Sequence, residues 1–346
     1  MENKRVLMLA TSHKTRGGVT AVVNAYTKCD FWKAHQVDWL ETHIDKSKGM
    51  KLWYAARAFA RYLMIVSRYD IIHIHTSELP SVRRKLPFLR VAKAKGKKVV
   101  VHLHIGNQLE ENRGNAAYVE LFREADAIIV LSRSIQEKLE TLFGIKDKVY
   151  VIYNPCPILS RPASYSDVQK EIIFAGTLNA NKDYTTLIRA FAKVSSRFPD
   201  WRLTIAGNGE MEKARGVARE EGVDKVVRFP GWVRGDEKDR LFRNASLFCL
   251  TSHAEGFPMA VLDAWAYGLP VISTPVGGLP DVLRTGENVL FFEPGDVEGL
   301  AEQLEQALAD PDLRHRLSGE SLKLAGGLFS LDYINGQIEE LYKSLY

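Results

Sequence analysis

Two acidic side chains flank the start of a predicted helix, Glu255 just before it and Asp263 just inside it. Glu255 follows an apolar run that predicts a strand, Pro258 suits the first helical turn, and Gly268 ends the helix. Free N–H groups at the start of such a helix attract anions such as a diphosphate. Paired carboxylates act as acid and base or accept hydrogen bonds from sugar hydroxyls. These residues therefore indicate a site for a ligand with phosphate and sugar groups.

Glycine-rich loops follow three other predicted strands in the second half of the chain. Gly176 and Lys182 lie in the first loop, Gly207 and Gly209 in the second, and Val233 in the third. Glycines at strand ends allow close backbone approach, and a lysine beside a helix start neutralises phosphate charge. For each feature alone, a simple tight turn or a solvated turn lysine is the alternative.

The first half carries a second set of polar residues at predicted strand ends. Gly17 and Gly18 precede a helix after the first strand, whereas His102 and His104 end the fourth. We expect His104, which is nearer to the strand end, to face the site, and a structural hydrogen bond is the alternative role. Two histidines at this spacing can bind a metal, but no nearby acid or cysteine completes a site, so we predict none. The histidines within 70–75 are interpreted mainly as strand and packing residues.

These loops need a scaffold that brings strand ends together, and the chain predicts such a scaffold twice. Nearly continuous apolar runs alternate with helix-length segments, as expected for parallel sheets covered on both faces. The predicted strands are 5–9, 36–40, 71–75, 99–103, 127–131 and 149–152, followed by 171–175, 202–206, 226–229, 247–250, 271–273 and 289–291. We predict an α/β protein of two doubly wound, Rossmann-like domains facing across a cleft, since such sheets bind ligands at the carboxyl ends of their strands.

The charge of the chain is divided between the two predicted domains. Residues 1–155 hold 26 Lys+Arg and 15 Asp+Glu, a net charge of +11; residues 156–346 hold 21 and 27, a net charge of −6; the sum is the +5 of the 346-residue chain. This asymmetry suggests different partners for the two halves. We predict a linker over the proline- and serine-rich stretch 156–170, a second domain over 171–330, and a terminal helix, 331–346, that packs toward the first domain.

The cysteines and the apolar runs exclude several classes of protein. Three cysteines without a CxxC pair argue against a zinc knuckle or redox dithiol and are typical of a reducing cytosol. The chain has no run of about 18 apolar residues, so we predict no transmembrane helix. It also lacks a GxGxxG fingerprint, so we predict no dinucleotide binding. The basic segment 81–98 is amphipathic, and an anionic membrane surface and a solvated helix face explain it equally well. Nucleic acid is a weaker interpretation because no nucleic-acid motif accompanies the segment.

The segment 255–281, EGFPMAVLDAWAYGLPVISTPVGGLPD, resembles the donor-binding signature of the retaining family 4 glycosyltransferases of the GT-B fold. Glu255-x7-Asp263 stands where that family has E-x7-E. Other characteristic loops of that family are similar, in chain order, to the segments GGVTAVV, VVVHLHIGN, GTLNANKD, IAGNGE and FPGWV of this chain. The resemblance covers nearly the whole chain and is more specific in the second half. It implies a GT-B fold in which 1–155 binds the acceptor and 171–330 binds a nucleotide-sugar donor.

The resemblance also implies roles for individual residues. Three residues would be catalytic: His104 would lie near the donor sugar and acceptor, Lys182 would stabilise the leaving diphosphate, and Glu255 would hold hydroxyls of the donor sugar. Asp263 would bind the ribose. The remaining donor-binding residues implied are Gly18, Thr177, Gly207, Gly209, Val233, Phe257, Met259 and Val261. Cations and a helix start would stabilise the developing charge without a metal ion or cofactor.

Three positions depart from the pattern of the family. Thr177 stands where the family usually has arginine, so half of the cationic diphosphate clamp is missing or is supplied by another residue such as Arg16. Asp263 replaces glutamate and is one methylene shorter. Asp183 stands where the family has glycine, with no clear catalytic consequence.

The resemblance predicts a cytoplasmic retaining glycosyltransferase of polysaccharide biosynthesis. It would move a hexose-type sugar from a UDP- or GDP-sugar to a glycan or lipid-linked acceptor. From its charge, we expect the basic segment 81–98 to hold the first domain at the inner face of the cytoplasmic membrane, and we expect no nucleic-acid partner. The alternatives are a catalytically impaired nucleotide-sugar-binding or scaffold protein, which Thr177 favours, and a nucleotide-sugar epimerase of the same architecture.

Overall fold

The computed structural model describes residues 4–15, 17–159, 165 and 169–346. The chain divides into two compact units, Met1–Pro155 with Leu331–Tyr346 and Cys156–Ser330, called the first and second units below. Each unit contains one six-stranded parallel sheet with flanking helices, which confirms the predicted α/β class with two doubly wound sheets. Arg16 and much of the predicted linker 156–170 lie outside the described residues.

The sheet of the first unit has four central strands that are buried along most of their length and two edge strands that are partly exposed. They are β1 (Val6–Thr11), β2 (Asp38–His43), β3 (Ile71–Thr76), β4 (Lys98–Leu103), β5 (Ala127–Val130) and β6 (Val149–Val151), in the order β2-β1-β3-β4-β5-β6. The connecting helices are α1 (Gly18–Tyr26), α2 (Asp30–Ala34), α3 (Lys48–Ile65), α4 (Leu79–Ala94), α5 (Ala116–Glu124) and α6 (Arg133–Phe143). Helices cover both faces, so apolar side chains at successive positions of the central strands are removed from water.

The second unit repeats this arrangement with strand order β12-β11-β10-β7-β8-β9. Its strands are β7 (Glu171–Ala175), β8 (Arg202–Ala206), β9 (Val227–Gly231), β10 (Leu247–Leu250), β11 (Val271–Ser273) and β12 (Leu290–Phe291). Its helices are α7 (Tyr184–Ser195), α8 (Met211–Glu220), α9 (Asp236–Asn244), α10 (Met259–Ala266), α11 (Leu279–Val282), α12 (Val297–Ala309) and α13 (Pro311–Gly326). Because β7 lies beside β10, the loops that follow these two strands lie at the same edge of the sheet.

The last helix, α14 (Leu331–Ser344), belongs to the first unit although it follows the second in the chain. Ile334, Ile338 and Tyr342 are buried on one of its faces. The Tyr342 hydroxyl lies 2.5 Å from Nδ1 of His73, a residue of β3. The terminal helix therefore completes the core of the first unit.

The basic segment 81–98 forms most of α4 and the start of β4, and its apolar side does not face solvent. Phe88 and Leu89 are buried in the core of the first unit. Lys85 is buried with them, and its Nζ donates to the Leu9 carbonyl at 3.0 Å and to the Thr42 hydroxyl. The apolar side of this amphipathic segment thus packs on the sheet, and its charged side is the one left for a membrane surface or for solvent. None of the helices that the structure describes is long and apolar enough to cross a bilayer.

Candidate functional site

The loops after β7 and β10 are joined by hydrogen bonds that bring two predicted residues together. The Thr251 hydroxyl donates to the Lys182 carbonyl at 2.8 Å, and the His253 N–H donates to the Asn181 carbonyl at 2.8 Å. Across this junction, Lys182 Nζ forms an ion pair with Glu255 Oε1. The structure therefore places two of the three predicted catalytic residues in direct contact.

This ion pair is largely withdrawn from water. The side chain of Lys182 is 21% exposed and that of Glu255 is 15% exposed. Removing either charge would leave the other without its partner in a poorly solvated place, which is costly. A ligand with both phosphate and hydroxyl groups satisfies the two ends of the pair at once, since the ammonium binds phosphate oxygens and the carboxylate accepts from hydroxyls.

The loop that carries Glu255 rests on a glycine that the sequence analysis did not single out. Gly277 has a φ of +59°, and a Cβ there would lie 2.2 Å from the Gly256 carbonyl oxygen and 2.8 Å from that of Glu255. The neighbouring Gly278 N–H donates to the Gly256 carbonyl at 2.9 Å. The Gly-Gly pair after β11 was the available signal, because only glycine combines this backbone conformation with so close an approach.

The start of α10 offers fewer free N–H groups than the sequence suggested. The N–H of Val261 donates to the Pro258 carbonyl at 3.1 Å, and that of Leu262 donates to the same oxygen at 3.3 Å. In the part of the chain that the structure describes, the N–H groups of Met259 and Ala260 have no acceptor. Of the helix-start N–H groups around Val261 that are predicted to bind a diphosphate, those of Met259 and Ala260 are therefore the ones left able to bind an anion.

Asp263, the predicted ribose-binding residue, is paired with a lysine that the sequence analysis missed. Lys238 Nζ of α9 lies 2.6 Å from Asp263 Oδ1. Burial raises the pKa of the Asp263 carboxyl above its ordinary value, and Lys238 opposes this shift. The contact joins α9 to α10, and its two residues are 25 positions apart in the chain. A local sequence pattern therefore does not predict it. A hydroxyl that reaches Asp263 meets a carboxylate already bound to an ammonium.

The glycines after β8 approach the protein's own backbone. A Cβ on Gly207 would lie 1.8 Å from the Gly176 carbonyl oxygen. At Gly209, whose φ is +117°, a Cβ would lie 2.3 Å from the Leu178 carbonyl oxygen. The close approach predicted from these glycines is thus made to the loop after β7. Thr177, between the two contacted residues, is left exposed with its short side chain.

Two predicted donor-binding residues lie in other surroundings. The ring of Phe257 is 4% exposed and packs against Phe329 and Trp265, with centroid separations of 5.0 and 6.1 Å. Its side chain is therefore a core residue that supports the Glu255 loop. Val233 lines a cavity of about 530 Å³, and none of the other predicted residues that the structure describes lines it.

His104 of the first unit is held by two hydrogen bonds. Its backbone N–H donates to the Thr76 carbonyl at 2.9 Å, and its ring Nε2 lies 2.8 Å from the ring Nδ1 of His75. Burial lowers the pKa of His104 to about 3, so its ring is neutral at pH 7 and acts as a hydrogen-bonding group. His75, interpreted from sequence as a packing residue, therefore sets the orientation of the predicted catalytic histidine.

Four histidines of β3, β4 and the residue that follows β4 form a stack: His73, His75, His102 and His104. Ring nitrogens of the first three lie within 4.8 Å of one another, a spacing that can admit a metal ion. The ring planes of His73 and His75, however, differ by only 5°, and their centroids are 4.6 Å apart. The lone pair of an imidazole nitrogen lies in the plane of its ring, so the lone pairs of two stacked, parallel rings point in parallel planes and do not converge on one point. The rings would have to rotate before they could bind the same ion.

The two remaining predicted residues belong to the amino-terminal loop. Gly18 is the first residue of α1 and is exposed, and Gly17 before it has a φ of +142°. Arg16, the suggested second phosphate cation, lies outside the described residues. Gly18 and His104 are thus in the first unit, and the other described site residues are in the second.

Known proteins resemble the chain in sequence and in fold. It is 31% identical to LpsE, the lipopolysaccharide core biosynthesis glycosyltransferase of Rhizobium meliloti, over 64% of this chain and 66% of that protein. It is 27% identical to the lipopolysaccharide 1,6-galactosyltransferase of Salmonella typhimurium, over 66% of this chain and 61% of that protein. The chain thus spans less than two thirds of the length of these curated relatives. The crystal structure of Anabaena HepE in complex with UDP and glucose shares the fold, with a TM-score of 0.79, 20% identity and coverage of 99% of this chain and 100% of that chain.

Two family models match successive parts of the chain. The Glycosyltransferase Family 4 model matches residues 19–158, and the Glycosyl transferases group 1 model matches residues 161–323. The second range contains every predicted donor-binding residue of the second unit, and the first contains His104. Together with the two six-stranded parallel sheets, these matches show that the chain belongs to the GT-B glycosyltransferases of family 4 and group 1.

Proposed function

We propose that the protein is a retaining glycosyltransferase that moves a hexose from a UDP- or GDP-sugar to a glycan or lipid-linked acceptor in polysaccharide biosynthesis. The observation that carries the proposal is the contact between Lys182 and Glu255 beside the free N–H groups of Met259 and Ala260. Retention at the anomeric carbon is inferred from the motif resemblance. The names of LpsE and of the Salmonella galactosyltransferase support a polysaccharide acceptor, and UDP in HepE supports a UDP-sugar donor.

The proposed mechanism relies on stabilising a leaving diphosphate. As the bond between the sugar and the phosphate breaks, negative charge develops on the phosphate oxygens, and pre-oriented donors stabilise that charge most in the transition state. Lys182 and the N–H groups that open α10 are the donors available in the second unit. Glu255 would accept hydrogen bonds from hydroxyls of the transferred sugar and so fix its position. None of these steps uses a metal ion or cofactor.

We propose further that the protein works at the cytoplasmic face of an anionic membrane, where lipid-linked acceptors lie. With the apolar side of α4 buried, segment 81–98 would contribute charge alone. Helix α3 offers the apolar surface that α4 lacks: Leu52 is 74% exposed, Met64 is 72% exposed, and Trp53 is 54% exposed. Exposed apolar side chains interleaved with arginines suit an anionic interface.

The test of the transfer reaction compares two lysines of the second unit. We expect Lys182→Met to lower kcat by roughly 10²–10³-fold, because one stabilising donor at a developing charge contributes about that much. Lys193→Met is the matched control, since Lys193 forms an exposed ion pair with Glu298 at 2.7 Å, and it should leave kcat unchanged. Release of nucleoside diphosphate from a panel of UDP- and GDP-sugars measures both variants, and thermal unfolding verifies that they fold.

The alternatives give different outcomes in the same assay. A protein that binds nucleotide sugars without releasing nucleoside diphosphate, with every glycan acceptor supplied, would be the scaffold protein that Thr177 suggests. An enzyme that returns a changed sugar on an intact nucleotide would be an epimerase. Equal kcat for the wild type and Lys182→Met would contradict the proposed role of the ion pair.

A further inference from the structure

A pocket of about 240 Å³ lies in the first unit where β1, β2 and β3 end, and none of the predicted site residues that the structure describes lines it. Six of its lining residues carry hydroxyl groups: Thr11, Thr15, Thr42, Thr76, Ser77 and Ser81. The helix α4 contributes Arg84 and Lys85 to its wall. A lining of this composition suits a polar ligand with several oxygen atoms, since each hydroxyl both donates and accepts hydrogen bonds.

Arg84 is a cation of this pocket that has no counterion among the residues that the structure describes. It is half-buried, and burial lowers the pKa of its guanidinium, although arginine remains charged at neutral pH. Among the described residues no carboxylate, carbonyl or hydroxyl is bonded to it. Asp45, the acid that lines the pocket in the described part of the chain, is bound to Lys51 at 2.9 Å. A partly desolvated cation without a partner is unfavourable, and a bound anion would remove that cost.

The charge of Arg84 contributes to lowered pKa values at two neighbouring groups, His43 and Lys85. Burial and then Arg84 lower the pKa of His43, which also lines the pocket, to about 4. Burial and then Arg84 also lower the pKa of Lys85 well below its ordinary value. The walls of the pocket thus disfavour further positive charge, and an anion between them would stabilise all three groups.

We propose that this pocket binds an anionic group carried by the acceptor sugar, a phosphate or a carboxylate, with Arg84 as its ligand and the surrounding hydroxyls holding the sugar oxygens. The inference rests on the proposed transferase function and specifies its acceptor as an acidic saccharide. Arginine suits the role because its fork of N–H groups binds two oxygens of a phosphate or carboxylate together.

The experiment measures binding of defined sugars to the full-length protein by titration calorimetry. The probes are glucose 6-phosphate, methyl glucuronoside and methyl glucoside, with inorganic phosphate for the free anion. We expect one acidic sugar to bind at least about 10-fold more tightly than the neutral one, a difference typical of one charge-assisted contact. Comparing the two acidic sugars distinguishes a phosphate from a carboxylate as the source of the anion, and equally tight inorganic phosphate would show that the sugar is not recognised and overturn the proposal.

Variants of α4 locate the site. Arg84→Gln should abolish the preference for the acidic sugar, and Arg84→Lys should retain part of it. Arg90→Gln is the matched control on the same helix, because Arg90 is exposed and pairs with Glu120 at 2.7 Å, and it should keep the full preference. Equal affinity for acidic and neutral sugars in the wild type overturns the inference without any variant.

Donor binding separates this inference from the proposed function. The wild type is also titrated with the panel of UDP- and GDP-sugars, including UDP-glucose, and tested for release of nucleoside diphosphate, and each variant is titrated and tested in the same way. If Arg84→Gln weakens UDP-glucose and leaves the acidic sugar unaffected, Arg84 serves the donor phosphate, and the acceptor proposal is wrong while the transferase proposal stands. If no nucleotide sugar binds or turns over, the transferase function itself fails.

Discussion

Asp183 shows how a departure from a family pattern is accommodated at the level of one residue. Its backbone is left-handed, with a φ of +40°, a conformation that glycine favours and that aspartate tolerates better than most residues. Its carboxylate caps α7 by accepting from the Thr186 N–H at 3.3 Å, and it lies 3.2 Å from Nε2 of His253. Aspartate therefore keeps the conformation expected of glycine and adds a helix cap beside Lys182.

Gly277 offers a test of how the Glu255 loop is supported. We expect Gly277→Ala to destabilise the protein by roughly 2–4 kcal/mol, because a clash with the Gly256 carbonyl adds to the strain of a positive φ. Gly286→Ala is the matched control: its φ is +78° and nothing lies within 4 Å of a Cβ there. It should cost only about 1 kcal/mol, the strain alone. Urea unfolding measures both, and similar losses in the two variants would refute the role of the clash.

Helix α3 exposes apolar side chains that do not pack in the core of the first unit. Its 18 residues contain no acid, and the nearest ones in sequence are Asp45 and Asp70. The Arg57 guanidinium lies 5.4 Å from the centre of the Trp53 ring. Arginine over an exposed tryptophan combines charge with apolar area on one side of the helix. That combination supports the proposed contact with an anionic membrane.

The membrane proposal is tested by sedimentation with lipid vesicles. We expect binding to phosphatidylglycerol vesicles and little binding to phosphatidylcholine vesicles. The double variant Leu52→Ser/Met64→Ser should bind at least about 10-fold more weakly, because each buried apolar side chain contributes about 1.5–3 kcal/mol. Ile158→Ser removes an apolar side chain that is 55% exposed outside α3 and serves as the control. Equal binding to both kinds of vesicle, or unchanged binding of the double variant, would contradict the proposal that α3 contacts an anionic membrane.

Over the whole molecule, the buried histidines make the first unit sensitive to acid. Burial lowers the pKa of His73 and His104 to about 3 and that of His75 and His102 well below the ordinary value. The unfolded chain takes up protons below about pH 6.5, where the folded histidines do not. Their stabilising contribution is therefore fully present above about pH 6.5 and is lost as the pH falls toward about 3.

The free energy of unfolding of the first unit should thus decrease between pH 6.5 and pH 4 by roughly 1.4 kcal/mol per pH unit for each histidine. Urea unfolding at several pH values measures the slope, and hydrogen exchange in β3 and β4 assigns it to this unit. Both ring nitrogens of His102 are buried without a hydrogen-bond partner among the described residues. His102→Leu should therefore reduce the slope by the share of one histidine, and an unchanged slope would contradict the assignment.

Much of the fold and part of the site were predictable from sequence. The predicted strands 171–175, 202–206, 247–250 and 271–273 match β7, β8, β10 and β11 to the residue, and α10 ends before Gly268. Such features arise from the apolar character, glycines and prolines of neighbouring residues, so the sequence by itself determined them. The residue types of the site, above all Glu255 and Lys182, were also recognisable from their motifs.

Only the tertiary structure decided which of these residues meet. Lys182 and Glu255 are 73 positions apart in the chain and pair because β7 lies beside β10. Lys238 reaches Asp263 from a separate helix, and Lys85 is buried although its neighbours in sequence suggested a charged surface. A periodic pattern tells which face of an element is apolar, but strand order and the packing of side chains set the distance between two charged groups.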